Sequence, residues 1–276
     1  MYKDAFLKSF KNLRFSVFIP DLYLGIVELV LALLFVKFTG IANLLSNPYF
    51  LAANIENKIP LVSLFVSENT LTLLIYFALL VVTTFVLGAS LNAMRYSMIR
   101  DIVLGNVYSL KQVLTSGVRF WPIIVVRFTI FILGIFTFLF LFGCYTILGS
   151  YFSQAITFSI ITVMGIIAIF LLKLLFMFTY PIMFFHSKGA FKSIKGSFTY
   201  FFKNKWHVFI VFVIVLLFSS LLVPFELLFL RYNNMMGLFT FYTLLFLVFR
   251  NVASAFYTVW SELFIFYFYK SRELSP

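Results

Sequence analysis

Seven ionisable residues interrupt otherwise apolar runs, and they are where this chain could do chemistry: Asp21, Glu28, Arg127, Lys173, Glu226, Arg250 and Glu262. A charge at the centre of a bilayer costs at least about 2.5–3.5 kcal/mol on insertion scales, so such residues face a bundle interior and find partners. A helix rises about 1.5 Å per residue. On that scale Asp21, Arg127 and Glu262 fall near one end of their runs, Glu28, Lys173 and Arg250 near the middle, and Glu226 and Arg231 near the other end. Each layer holds both signs. Asp21 and Glu28 are two turns apart and share a helix face. The spacing predicts a buried polar network in which Glu28 pairs with Lys173 or Arg250. That network reads either as pairs that lock helix register or as a polar route for an ion, proton or small solute. Arg127 and Glu262 are shallow enough to snorkel instead.

Familiar catalytic patterns are missing. The sequence contains no H-E-x-x-H, no phosphate-cradling G-x-x-x-x-G-K-[ST] and no G-x-S-x-G. Asp21 could do acid–base work, but nothing places a nucleophile or an oxyanion donor beside it. His186 and His207 flank a basic segment, and with one cysteine and no carboxylate pair nearby they make no metal set. No catalytic, cofactor-binding or metal-binding residue is assigned, and the chain is expected not to be an enzyme. Pro20, Pro122, Pro181 and Pro224 lie at or inside run ends, where a proline is either simply tolerated or kinks the helix and frees a carbonyl.

The elements that must position these residues are long apolar helices. Hydrophobic residues make up 63% of the chain and charged residues 11%, against roughly 25% charged in soluble domains. Spanning takes about 20 apolar residues per helix. The runs fall at roughly 15–38, 70–93, 120–147, 157–185, 207–230 and 237–268, giving six transmembrane helices in an all-α bundle. A β-barrel would need alternation, and the run from Phe131 to Phe142 shows none.

Positive charge orients the bundle. Lys3, Lys8, Lys11 and Arg14 precede the first run. Arg95, Arg100, Lys111 and Arg119 are expected in the loop after the second. Lys188, Lys192, Lys195, Lys203 and Lys205 follow the fourth, and Lys270 and Arg272 sit in the tail. The opposite side keeps only Lys37, Lys58 and Arg231. The positive-inside rule puts both termini in the cytoplasm of a multi-pass cell-membrane protein. The net charge of +12 then reflects topology and attraction to anionic lipid heads, not nucleic-acid binding. The basic start leads into a run long enough to span, so it reads as a retained signal anchor. The single Cys144 excludes an intrachain disulfide.

A short basic segment precedes each odd-numbered run. The second, Ser109 to Thr115, and the third, Ser193 to Thr199, match as S-[LI]-K-x-x-[LF]-T, and the first, around Phe6, Ser9 and Phe10, fits loosely. Each carries an apolar stripe at helical spacing: Phe6, Phe10, Leu13 and Val17; Leu110, Leu114 and Gly117 or Val118; Ile194, Phe198 and Phe201. These segments are expected to be amphipathic helices in the cytoplasmic interface. With them the chain divides into hairpin units at about 1–100, 101–188 and 189–276 within one membrane domain. Either the units are parallel repeats, or the short matches are chance in an apolar chain. The segment 39–69 is the one long loop opposite the termini. It is half apolar, so it reads as docked on the bilayer or bundle, or as the lid of a binding site.

The three basic Phe-Ser segments, the six spans and the cytoplasmic termini together resemble uncharacterised prokaryotic membrane proteins related to the membrane domain of glycerophosphodiester phosphodiesterases. Some members of that family carry the phosphodiesterase as a separate soluble domain. No such domain follows the last run, so the resemblance implies a membrane module without the enzyme. Mitochondrial carriers also have three hairpins, but their P-x-[DE]-x-x-[KR] motif fails: Pro224-Phe225-Glu226 begins it and Phe229 takes the basic position. The functional expectation is a module that moves or binds a small solute or lipid, with membrane lipids as its partners. The alternative is a scaffold or assembly partner whose charges only lock helices.

Overall fold

The structure is a computed structural model; it describes residues 1–39, 62, 63, 65–118, 120–221, 223, 224 and 241–273. It is all-helical among these residues. Four helical runs are long and apolar enough to cross a membrane, at Phe15–Thr39, Thr70–Leu104, Trp121–Gly149 and Gln154–His186. A fifth is added if Ala190–Lys203 and Lys205–Ser220, bent by 102°, are taken as one. Glu226, Arg231, most of the 39–69 loop and the end of the fifth expected run lie outside the described residues.

The helices are α1 (Tyr2–Lys11), α2 (Ile19–Thr39), α3 (Thr70–Val82), α4 (Gly88–Leu104), α5 (Leu110–Val118), α6 (Trp121–Gly149), α7 (Gln154–Phe176), α8 (Thr179–His186), α9 (Ala190–Lys203), α10 (Lys205–Ser220) and α11 (Phe241–Glu273). A π-turn at Thr83–Leu87 joins α3 to α4. The second run therefore continues well past residue 93. Arg95 and Arg100, expected in a loop, lie inside α4. The polar residues from Asn92 onward end the hydropathy signal but not the helix. What ends the helix is Gly105, whose φ of 81° closes a left-handed cap with the Asn106 N–H on the Asp101 carbonyl.

Neighbouring helices close a ring. α2 packs on α3 and α4, α4 on α6, α6 on α7, α7 on α10, α10 on α11, and α11 back on α2. α4, α8 and α11 also touch one another. The three basic segments are separate short helices, and each docks on one of these three: α5 on α4, α9 on α8 and α1 on α11. The dockings of α5 and α1 each carry a side-chain hydrogen bond, and α9 makes one to the neighbouring α7. Ser90 Oγ donates to the Gly117 carbonyl at 2.9 Å, Ser197 Oγ to the Leu175 carbonyl at 2.6 Å, and Asn12 Nδ2 to the Tyr267 hydroxyl at 2.7 Å.

One expected stripe is turned. Among the described residues of α5, Gly117 is buried as expected, but Val113 is buried with it, while Leu114 and Val118 face outward. Gly117 explains this: a Cβ there would strike the Met94 side chain, so the helix lays its barest position on α4. On α9 the stripe is as expected, with Ile194 buried and Phe198 against Phe176. The break between α7 and α8 just precedes Pro181, which cannot donate an amide hydrogen to the ladder. Ser197 caps the carbonyl of Leu175 from the side.

The core lies at the end of the bundle that carries both chain ends. Trp260, Phe178, Phe264, Phe266 and Phe268 are its largest fully buried side chains. Trp260 is ringed by Phe6, Phe10, Phe218 and Phe264, with centroids 4.0–5.7 Å away. Rings in this range gain stacking and edge contacts beyond burial alone.

Candidate functional site: a guanidinium-centred cluster and an adjoining cleft

Arg95 is the hub. Its side chain is 4% exposed. One terminal nitrogen donates to Asp21 Oδ1 on α2 and the other to Glu262 Oε1 on α11, the latter at 2.6 Å. One guanidinium thus ties three helices that are far apart in sequence. Tyr96 donates its hydroxyl to the same Glu262 oxygen at 3.0 Å. Its ring stacks on Tyr180 of α8 at 4.5 Å and lies under the Arg95 guanidinium at 5.2 Å. The other carboxylate oxygens, Asp21 Oδ2 and Glu262 Oε2, are buried without a hydrogen-bond partner. Two carboxyl groups thus share one guanidinium.

Arg127 takes another role. Its guanidinium donates to the carbonyl of Thr84 at 2.6 Å and reaches that of Gly88 at 3.5 Å. Thr84 lies within the π-turn and Gly88 directly follows it. Gly88 permits the approach, because a Cβ would stand 3.1 Å from an Arg127 nitrogen. Arg127 and Glu262 therefore both have specific partners, and neither snorkels.

Next to the cluster, between α2 and α11, lies a half-open cleft of about 150 Å³. Asp21, Leu24, Gly25 and Glu28 line one wall, and Asn251, Ser254, Ala255 and Thr258 the other. Each wall repeats at i, i+3, i+4 and i+7, one stripe of a helix. Asp21 and Glu28 share a face, as their spacing predicts, but Glu28 is exposed along the cleft and not buried in the bundle interior. Asp21 belongs to both cluster and cleft.

The expected pairing of Glu28 with Lys173 or Arg250 is not what the structure holds. Glu28 makes no ion pair with either, and the guanidinium that bears on it is Arg127. Equal depth did not put these groups in reach: Lys173 lies in the last turn of α7, whose neighbours are α6, α9 and α10, not α2. Arg250 is exposed on α11, next to Asn251 of the cleft wall. His186 and His207 each meet a tyrosine hydroxyl, His186 that of Tyr269 at 2.9 Å and His207 that of Tyr2. Among the described residues no group of three His, Cys, Asp or Glu gathers as a metal set.

Sequence reading missed Arg95 and Tyr96, because Arg95 was spent as a topology charge at the end of an apolar run. A signal was present. The layer that holds Asp21 and Glu262 was short of cations, and an arginine just past the hydropathy edge lies within one or two turns of it.

No known family, no curated protein and no solved structure matches the chain. Its long apolar helices, exposed over most of their surface, make it a membrane protein of helical-bundle type.

Proposed function

We propose that the chain is a six-span membrane module that binds and moves a small solute through the cleft between α2 and α11, and that it is not an enzyme. The observation that carries this reading is the cleft itself, a polar groove reaching Glu28 inside a span. A dry, purely structural bundle would have no use for an unpaired glutamate there. The Arg95 cluster supports a second reading, a scaffold, because a guanidinium held by two helices beyond its own is also how a bundle fixes its register. Solute uptake into proteoliposomes, compared between the native chain and Ser254→Leu, decides between them. Uptake that the leucine blocks supports the module. Its absence across charged and neutral solutes supports the scaffold.

We further infer three parallel repeats and cytoplasmic termini in the cell membrane. The repeats are supported by the recurrent docking of α5, α9 and α1 on α4, α8 and α11. The same architecture is the ground for relating the chain to the membrane domain of the phosphodiesterase family. In a Cys144→Ser background, Ser153→Cys should react with an impermeant thiol reagent only from outside. Labelling from the cytoplasmic side alone overturns the orientation.

A further inference from the structure

We propose that the cleft binds a small aliphatic diamine, with one ammonium group on Glu28 and the other at Asp21. This rests on the reading of the cleft as a solute site and names the solute's chemistry. The polar side chains of the two walls are Asp21, Glu28, Asn251, Ser254 and Thr258. Every one can accept a hydrogen bond, and no lysine or arginine lines the cleft. Such a lining suits a cationic donor.

The neighbouring cations are already engaged. Arg95 is shared by two carboxyl groups, and Arg127, the guanidinium that bears on Glu28, donates to the carbonyls of Thr84 and Gly88 and forms no ion pair with it. Asp21 lines one end of the groove with its Oδ1 held by Arg95, which fixes the position of that carboxyl group. Glu28 supplies a second carboxyl group, two turns away.

Spacing favours a ligand longer than one bare ion. Two helical turns separate Asp21 and Glu28 by roughly 10 Å along the axis, whereas a calcium-type ion needs oxygens at about 2.3–2.6 Å. A four-carbon diamine fits that gap. Its nitrogens stand about 6 Å apart on ordinary bond lengths, and a hydrogen bond of about 2.9 Å at each end makes up the rest. The cleft volume, about 150 Å³, exceeds the roughly 30 Å³ of one water and takes several heavy atoms. Leu24 and Ala255 give the alkyl chain an apolar contact between the polar ends.

The test is calorimetric titration of the purified full chain in nanodiscs with 1,4-diaminobutane, n-butylammonium, sodium ion and butyrate. The diamine is expected to bind best, at least about tenfold tighter than n-butylammonium, the worth of one charge-assisted contact. Glu28→Gln, which breaks no ion pair of the fold, should erase that advantage. Ser254→Leu should abolish binding while the protein keeps its native melting temperature. Diamine binding that survives both variants is adventitious and overturns the proposal. So does equal binding of diamine and monoamine. Binding of butyrate alone, blocked by Ser254→Leu, overturns the diamine but keeps the solute site. No binding by any probe, together with no uptake, overturns both.

Discussion

The two ends of this bundle are built on different terms. At the end carrying the termini, α4 buries thirteen of its residues and the aromatic residues of α11 close over one another. At the other end the same helices bury almost nothing among the described residues. α3 has no buried residue, and α6 has only Ile123 and Val126, both near its start. Phe136, Phe138 and Phe140 are 64%, 67% and 64% exposed. Thr39 and Thr157 are the buried exceptions. In water a belt of exposed phenylalanines would drive aggregation. In lipid the surrounding chains are as apolar as the side chains, so helices gain little by hiding them in protein. Packing and polar pairing are therefore concentrated where α1, α5 and α9 cross the bundle and where charges must be satisfied. Stability should follow the same gradient.

The largest expected effect breaks the packed end. Arg95→Met leaves Asp21 and Glu262 facing each other without their shared cation. Stranding buried charge costs about 3–5 kcal/mol, read as a fall in unfolding free energy in detergent or bilayers. Combining Arg95→Met with Asp21→Asn and Glu262→Gln should recover much of the loss. Strict additivity of the three would show that the cluster is not a unit. Trp260→Ala follows closely. It empties the middle of the cage formed by Phe6, Phe10, Phe218 and Phe264 and should cost about 3–5 kcal/mol by the same measurement. A loss under about 1 kcal/mol there would mean that the apparent core is not what holds α1 to α11.

The gradient also explains what the sequence disclosed. Apolar runs and basic segments are one-dimensional signals, and they located the long helices and the short docked ones. The partners of buried charges are three-dimensional facts. Depth along a helix placed Asp21 and Glu262 in one layer, but it could not say which helices adjoin. The expectation for Glu28 failed for that reason: Lys173 belongs to a helix that packs on α6, α9 and α10. Hydropathy hid Arg95, since a span was taken to stop at its first polar residues whereas α4 continues to Leu104. The turned face of α5 was hidden because apolar size ranks Leu114 above Val113, while close docking of Gly117 on Met94 brings Val113 inward.

A middle-sized effect sits at that contact. Gly117→Leu forces a side chain into Met94. Overpacking of this kind costs about 1–3 kcal/mol, tempered here because a methionine side chain adapts. Thermal unfolding should show the loss, and Met94→Ala in the same chain should return part of it. If Gly117→Leu is neutral alone, α5 does not dock on α4 as closely as its Ser90 hydrogen bond implies.

The smallest expected effect belongs to the exposed end. Gly143 lies in α6 with nothing within 4 Å of an added Cβ. Gly143→Ala therefore meets no steric cost and should stabilise the helix by about 0.5–1 kcal/mol, through the chain entropy a glycine loses on ordering. Phe138→Ala, on the same helix, should change stability by no more than about 0.5 kcal/mol, because the ring touches lipid in both cases. The pair sharpens the comparison, since the substitutions act on one helix by different physics. A clear destabilisation by either, in lipid but not in dilute detergent, would mean that another protein surface covers this face of α6. Chemical cross-linking would then distinguish a second copy of the chain from a different partner.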